Sequence, residues 1–465
     1  MNPAARALAV ASILHAAASG SAFDEPGDIP SSSEAPSGLV SGREDLREGS
    51  FFPSFSRADF HGSLWSRYRI RATADETDQD FSQDLSLELG DPARHRVTFA
   101  FLGEWSLDLD GVDGSSALSQ IEDTFDSPAN GRLLRAHADV HRLGSVERVR
   151  LGRQEHALLP EVPLFDGIDA ASSPLSPWKV RLRAFGGVPS HLYESSPSGD
   201  SLYGAGIEAE PCEGTWAALT YAHIEDDPLL TDERDDFLVF DARQRVLRPL
   251  TVSGRLTALE GELRDLLLRA FAADAESGWS GQVSYFALLR TERRRVTEID
   301  PFYEVLLEER PYHDARVLVT KDLGGQFSLT GEIAIRELEN EGDEGTFNRE
   351  FRRYSIGPDV HDWPLDGLSL SLTAEAWESD EKRVRTLGAA AAQEIGEDLR
   401  IEVGTEYSLF KFDPALGDER EDVRSVYVRG GYDVDESLTA DVRLEIDDDD
   451  RDTYRTLRVG LLWRF

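Results

Sequence analysis

Cysteine is almost absent from this 465-residue chain: Cys212 stands alone, which excludes an internal disulfide, a CxxC pair and a thiolate zinc site. Lysine is nearly as scarce, with only Lys179, Lys321, Lys382 and Lys411; the other 45 basic residues are arginine. Positive charge as a whole is in deficit. With 49 basic against 88 acidic residues, the net charge of -39 repels polyphosphate and argues against any nucleic-acid partner. Long apolar runs are missing too: beyond the N-terminus nothing approaches the roughly 18 to 20 apolar residues that a spanning helix needs.

What is present begins with an address. Residues 1–22 read as a secretory signal peptide: Arg6, an apolar run from Ala7 to Ala18, then small residues ending at Ala22. No cysteine follows the run, so a lipoprotein anchor is not expected. Residues 23–50, rich in Ser, Pro, Gly and acids, read as a flexible leader that cannot bury enough apolar surface to order itself. The folded region is expected to span 51–465.

Within that region short period-two segments recur to the last residue. Val97, Phe99, Phe101, Gly103, Trp105 and Leu107 share one face, with Arg96, Thr98, Ala100, Glu104, Ser106 and Asp108 on the other. A soluble sandwich and an outer-membrane barrel both produce this pattern, and they differ in whether the apolar face meets a core or lipid. The final strand favours the barrel. Leu457, Val459, Leu461, Trp463 and the terminal Phe465 stand at strict spacing of two, which resembles the C-terminal signal read by the bacterial barrel-assembly machinery. The expected fold is therefore all-β, a transmembrane antiparallel up-and-down barrel in the outer membrane, in contact with its lipid and lipopolysaccharide.

Strands are expected at 59–73, 79–90, 94–109, 131–143, 146–154, 162–172, 178–188, 201–210, 214–226, 236–246, 250–260, 262–273, 279–291, 314–322, 325–338, 349–360, 366–378, 381–393, 397–412, 420–433, 436–449 and 452–465. The best count is 22 within a range of 18 to 22, because Leu263 to Phe271 also fits a short helix. Strand 162–172 is required by orientation. With it, the short turns at Asp91, Gly144, Cys212, Gly324, Pro364, Gly396 and Asp435 fall on the periplasmic side. The longer connections at 110–130, 189–200, 227–235, 292–313 and 339–348 then fall outside, as barrels require.

A barrel this wide cannot be filled by its own wall side chains, so transport is the expected function and catalysis is not. Polar parity turns Arg67, Arg69, Arg71, Arg135, Arg148, Arg150, Lys179, Arg181 and Arg183 inward on neighbouring strands, a basic stripe suited to anionic solutes. The same parity turns Asp84, Glu88, Glu104, Asp108, Glu375, Glu402, Asp441 and Glu445 inward, so a mutually neutralising ladder is the alternative. A non-conducting surface or adhesion barrel and an outer-membrane hydrolase remain as other readings. No GxSxG or HExxH occurs, and His137 and His141, four apart on a strand, are about 13 Å from each other, too far to share a metal. No cofactor or metal is expected. Acidic runs at Glu225 to Asp227, Asp232 to Asp236, Glu341 to Glu344 and Asp447 to Asp450 are placed in outer loops, as solvated tips or as calcium contacts to lipopolysaccharide.

One segment also carries a family likeness. Val149 to Glu155 (VRLGRQE), then Leu164 to Ile168 (LFDGI) and a basic alternating strand, resembles the alginate-export family of outer-membrane barrels. In that family a strand ending in Gly-Arg-Gln runs to an outer loop and a Phe-Asp-Gly strand returns. Gly152, Arg153, Gln154, Phe165, Asp166 and Gly167 carry the resemblance. It implies a monomeric channel with a basic lumen that passes an acidic polysaccharide outward, or a porin of unspecified solute.

Overall fold

The computed structural model describes residues 55–56, 59–110, 118, 127–155, 164–175, 177–190, 200–226, 233–293, 308–345, 348–379, 382–413 and 418–465. The segments expected to be signal peptide and leader lie outside them.

In chain order the strands are β1 (Phe60–Ala72), β2 (Thr77–Leu89), β3 (Val97–Asp108), β4 (Ala129–Leu143), β5 (Val146–Glu155), β6 (Leu164–Ser172), β7 (Arg181–Pro189) and β8 (Ser201–Ala209). They continue with β9 (Thr215–Asp226), β10 (Glu233–Arg245), β11 (Leu250–Leu259), β12 (Glu262–Asp274), β13 (Trp279–Leu288), β14 (Glu292–Arg293), β15 (Glu308–Glu309) and β16 (Tyr312–Gly324). The last eight are β17 (Phe327–Leu338), β18 (Phe351–His361), β19 (Leu368–Glu378), β20 (Arg383–Ile395), β21 (Leu399–Asp413), β22 (Asp418–Asp433), β23 (Leu438–Asp448) and β24 (Thr453–Arg464). β14 and β15 pair only with each other.

The other 22 form one sheet in which each strand pairs antiparallel with the next, β13 passing directly to β16. The sheet closes on itself. β24 lies against β1 from Ser63–Arg464 to Ala72–Arg455, and Gly62 and Phe465 exchange backbone hydrogen bonds of 2.8 and 2.9 Å. Closure leaves no free edge, which is what allows a sheet to stand in hydrocarbon. The expected count of 22 is therefore found. β11 and β12 are separate strands, joined at Glu260 and Gly261, whose φ of 54° and 82° make the tight turn that a continuing helix would not.

The antiparallel order puts the turns at Asp91, Gly144, Cys212, Gly324, Pro364, Gly396 and Asp435 on one edge and the longer connections on the other. The short-turn edge carries exposed Trp178, Trp279, Trp363 and Trp463, the ring expected at a membrane–water boundary. Above it runs an outward belt that includes Phe99, Leu151, Ile207, Phe240, Ile356, Val428 and Leu461, all at least one-third exposed. No helix among the described residues is long and apolar enough to cross a membrane. The strands supply the crossing instead.

Two expectations need correction. Lys179 is not on a strand: Pro174 and Pro177 interrupt the chain, Lys179 adopts φ 48° in the turn before β7, and it pairs at the rim with Glu210. Three of the acidic runs are not confined to loops: Glu225 and Asp226 end β9, Glu233 to Asp236 open β10, and Asp447 and Asp448 end β23, with Asp447 pointing inward to Lys411 and Arg420, 2.6 and 2.9 Å away.

Candidate functional site

Among the described residues the inner wall is the large surface that carries the polar parity of the strands. A circular section of 22 strands at about 4.8 Å spacing, tilted by about 40°, is about 45 Å across at the backbone, so side chains line this space without filling it.

The eight strand-borne members of the expected basic stripe face inward, and each has a carboxylate. Arg67 meets Asp84 at 2.7 Å, Arg69 meets Asp80 at 2.9 Å and Arg71 meets Asp78 at 2.7 Å. Arg135 lies 3.8 Å from Glu155, Arg148 3.5 Å from Asp169, and Arg181 3.3 Å from Glu147. Arg150 forks onto Asp139 at 2.8 and 2.9 Å, and Arg183 lies 3.0 Å from Asp169. The stripe is thus built as a paired ladder, the alternative that the inward acids had left open. Arg71 also donates to the carbonyl of Leu118, a fully buried residue of the β3–β4 connection, so Leu118 lies against the inner wall at this point.

Two inward arginines that escaped the sequence reading behave differently. Arg243 on β10 and Arg269 on β12 are exposed, and among the described residues neither has a carboxylate partner. Both lie opposite Ser253 of β11, so they sit on one hydrogen-bonded row about two strand spacings, or roughly 10 Å, from each other. The row continues through Ser284 to Arg316 and through Ala334 to Arg353. Those two are neutralised, Arg316 by Glu332 at 2.7 Å and Arg353 by Glu375 at 3.1 Å. β10, β12, β16 and β18 each contribute one arginine to the row, and the strands between them a serine or alanine. No single segment is conspicuous, and only the register reveals the alignment.

Part of the inner wall is apolar. Phe165, Phe185, Leu202, Ile224, Phe237 and Val239, on β6 to β10, are each no more than 6% exposed, although parity turns them into the lumen. A legible signal existed: FLVF at Phe237–Phe240 is apolar at both parities, the mark of a strand buried on two faces.

The family-like segment is a packing device. Gly152 faces Gly167, and Gly167 faces Gly187, where an added Cβ would stand 2.2 Å from the Gly186 carbonyl oxygen. Arg153 forks onto Asp166 at 2.8 and 2.7 Å on the outward parity. Gln154, fully buried, donates to the Gly167 carbonyl at 3.1 Å, and Phe165 packs on Phe185 with centroids 6.2 Å apart. These six residues hold β5, β6 and β7 together at the long-loop end.

For a hydrolase the described residues offer only partial arrangements: His361 Nδ1 meets the Ser369 hydroxyl at 3.1 Å and His141 Nε2 the Thr98 hydroxyl at 2.9 Å, neither ring hydrogen-bonded to a carboxylate, while His223 Nδ1 lies 3.0 Å from Asp236 on the outward face. The His223 ring stacks on Tyr203, and no serine, threonine or cysteine hydroxyl or thiol is hydrogen-bonded to it among the described residues. The described residues also hold no group of three or more potential metal ligands.

A closed 22-strand antiparallel barrel with an outward apolar belt, a tryptophan ring and a charged inner wall is a transmembrane barrel of the bacterial outer-membrane type. No family model matches the chain, and no curated protein matches it either. Among solved structures the chain is similar to Pseudomonas aeruginosa OccK1 (OpdK), at 11% identity and a TM-score of 0.42 over 89% of this chain and 100% of that one. It is also similar to OccK2 (OpdF) of the same organism in complex with glucuronate, at 13% identity and 0.40 over 89% and 99%. A BenF-like porin from Pseudomonas fluorescens Pf-5 matches at 13% and 0.40 over 89% and 100%. The fold assignment rests on the closed pairing itself.

Proposed function

We propose that the protein is an outer-membrane channel for small hydrophilic anions. The observation that carries this reading is the pair Arg243 and Arg269: water-exposed, inward, aligned across Ser253, and without carboxylate partners among the described residues. Paired arginines of the ladder orient the wall, but their charge is already met. A free guanidinium with a hydroxyl between it and the next offers a solute carboxylate both a fork and a neighbouring donor. The eight paired arginines of the ladder line one side and touch the solute only where an ion pair opens.

Export of an acidic polysaccharide would rest on the family-like segment, and its residues are occupied in holding β5 to β7 together. Small anions fit the wall better. The channel acts as a single protomer surrounded by lipid and lipopolysaccharide, with Leu457 to Phe465 as the segment offered to the assembly machinery.

Refolded protein in planar bilayers tests this directly. Open pores are expected, with reversal potentials in a salt gradient showing preference for anions, and glucuronate is a suitable probe because it carries both a carboxylate and hydroxyls. Arg243→Ala with Arg269→Ala should lower the anion-to-cation permeability ratio about three- to tenfold, while Arg181→Ala, whose charge is paired, changes it less than twofold. Absence of conductance, or selectivity untouched by the double substitution, refutes the reading.

A further inference from the structure

The barrel wall is not uniformly zipped. Between β20 and β21 the register runs from Ile395–Leu399 only as far as Ala389–Thr405, although both strands continue toward the long-loop edge. β20 goes on pairing with β19 up to Arg383, and β21 goes on pairing with β22 beyond Glu406. Among the described residues this is the longest stretch over which two neighbouring strands run on side by side without pairing; shorter lapses fall between Gly357–Pro358 and Leu372–Thr373 and where β4 passes the end of β5. In hydrocarbon each unpaired backbone N–H or C=O costs several kcal/mol, so such a gap cannot simply face lipid.

Side chains bridge it instead. Arg424 of β22 reaches past β21 to donate to the Leu387 carbonyl at 2.8 Å and to the Thr386 hydroxyl at 2.6 Å. At the rim Lys382 spans the same gap to Glu421 and Asp422, 2.7 Å from each. A groove of about 1010 Å³ lies along the outer face here, lined by Gly331, Ile356, Ala374 and Leu387, with Arg385 and Arg424 at its β20–β22 end. Neither Arg385 nor Arg424 has an ion-pair partner among the described residues; Arg424 is held by the carbonyl, the hydroxyl and the face of the Tyr407 ring, 5.4 Å away. An arginine on the lipid face costs about 2–4 kcal/mol at mid-depth but only about 0–1 near the interface, so two in the half of the wall nearer the long loops are tolerable without explaining themselves.

We propose that the unpaired half of the β20–β21 boundary is a lateral opening through which a single-chain amphiphile with an anionic head passes between the lumen and the outer leaflet. The head group would sit on Arg385 and Arg424 in place of the bonds that Arg424 now makes, and the chain would lie in the apolar groove. This does not rest on the Arg243–Arg269 path, which lies on other strands.

Full-length protein in lipid vesicles is labelled with diazirine-bearing dodecanoate, its dodecyl phosphate analogue and the uncharged alcohol, and the adducts are mapped. Labels from either anion should concentrate on Val384 to Leu387 and on β21 from Glu406, including the inward residues Thr386 and Glu406, and the stronger anion identifies the preferred head. Arg385→Ala with Arg424→Ala should lower this labelling at least fivefold, with conductance retained. Equal labelling by the alcohol, even labelling around the belt, or adducts on outward residues alone overturns the proposal. Hydrogen exchange of the unmodified protein is an independent test: the amides of Arg385 and Leu387, which point toward β21, should exchange at least tenfold faster than those of Ala389, Ala391 and Gln393 on the same side of the strand, and equal protection also overturns it.

Discussion

Arg150 and Arg243 are both inward arginines of the barrel wall, and their surroundings give them opposite roles. Arg150 forks onto Asp139, which is 8% exposed and has His137 beside it on the same face. Removing the fork strands a largely desolvated carboxylate, so Arg150→Ala should destabilise the barrel by about 1–3 kcal/mol. Urea unfolding in vesicles checks this, and Asp139→Ala added to Arg150→Ala should recover most of the loss. Arg243→Ala should leave stability within about 0.5 kcal/mol and act on selectivity instead. At this scale the sequence showed which arginines face inward but not which are spent. Parity follows from period two along one strand, whereas pairing depends on the partner strand and its register.

At the scale of elements, strands and turns were legible because each is decided locally: alternation marks the strand, and Gly, Pro or Asp marks its end. The β2–β3 turn is an example. Asp91 accepts from the Arg94 guanidinium and from the Ala93 amide, both at 2.8 Å, and these bonds hold its carboxyl below the ordinary carboxylate range. A lowered folded value means that the contribution is fully present above the unfolded pKa, near 4, and is lost as pH falls through the folded one. The Ala93 amide resonance should therefore stay unchanged from neutral pH down to about 4 and shift only below it. Asp91→Asn should abolish that shift. Less legible were elements whose role depends on a neighbour. Gly152 and Gly167 read as a family motif, and the structure shows why glycine stands there: a Cβ on Gly152 would meet the β4 backbone at the Ala136 carbonyl, and one on Gly167 the β7 backbone at the Gly186 carbonyl. The boundary between β20 and β21 left no mark in either strand, since both keep their alternation while failing to pair.

For the whole molecule the deciding event is closure. Phe465 exchanges backbone hydrogen bonds with Gly62, packs on Phe60 at 5.8 Å and on Trp463 at 4.8 Å, and so seals the last strand to the first. Phe465→Ala should lower the yield of heat-modifiable, folded barrel in cells severalfold, yet cost refolded protein no more than about 1–3 kcal/mol, because the backbone pairing of β24 with β1 remains. Equal losses in both settings would mean that the residue acts through packing alone. The best strand count, the face that most strand residues take and the edge to which each connection belongs were already legible in the sequence, since all three follow from alternation along one chain and from antiparallel order; Lys179, in a proline-broken turn, was the exception. Which inner charges are cancelled, which wall is apolar and where the wall is left unzipped were settled only on folding. Those properties belong to contacts between strands, and a register is a relation that neither strand carries alone.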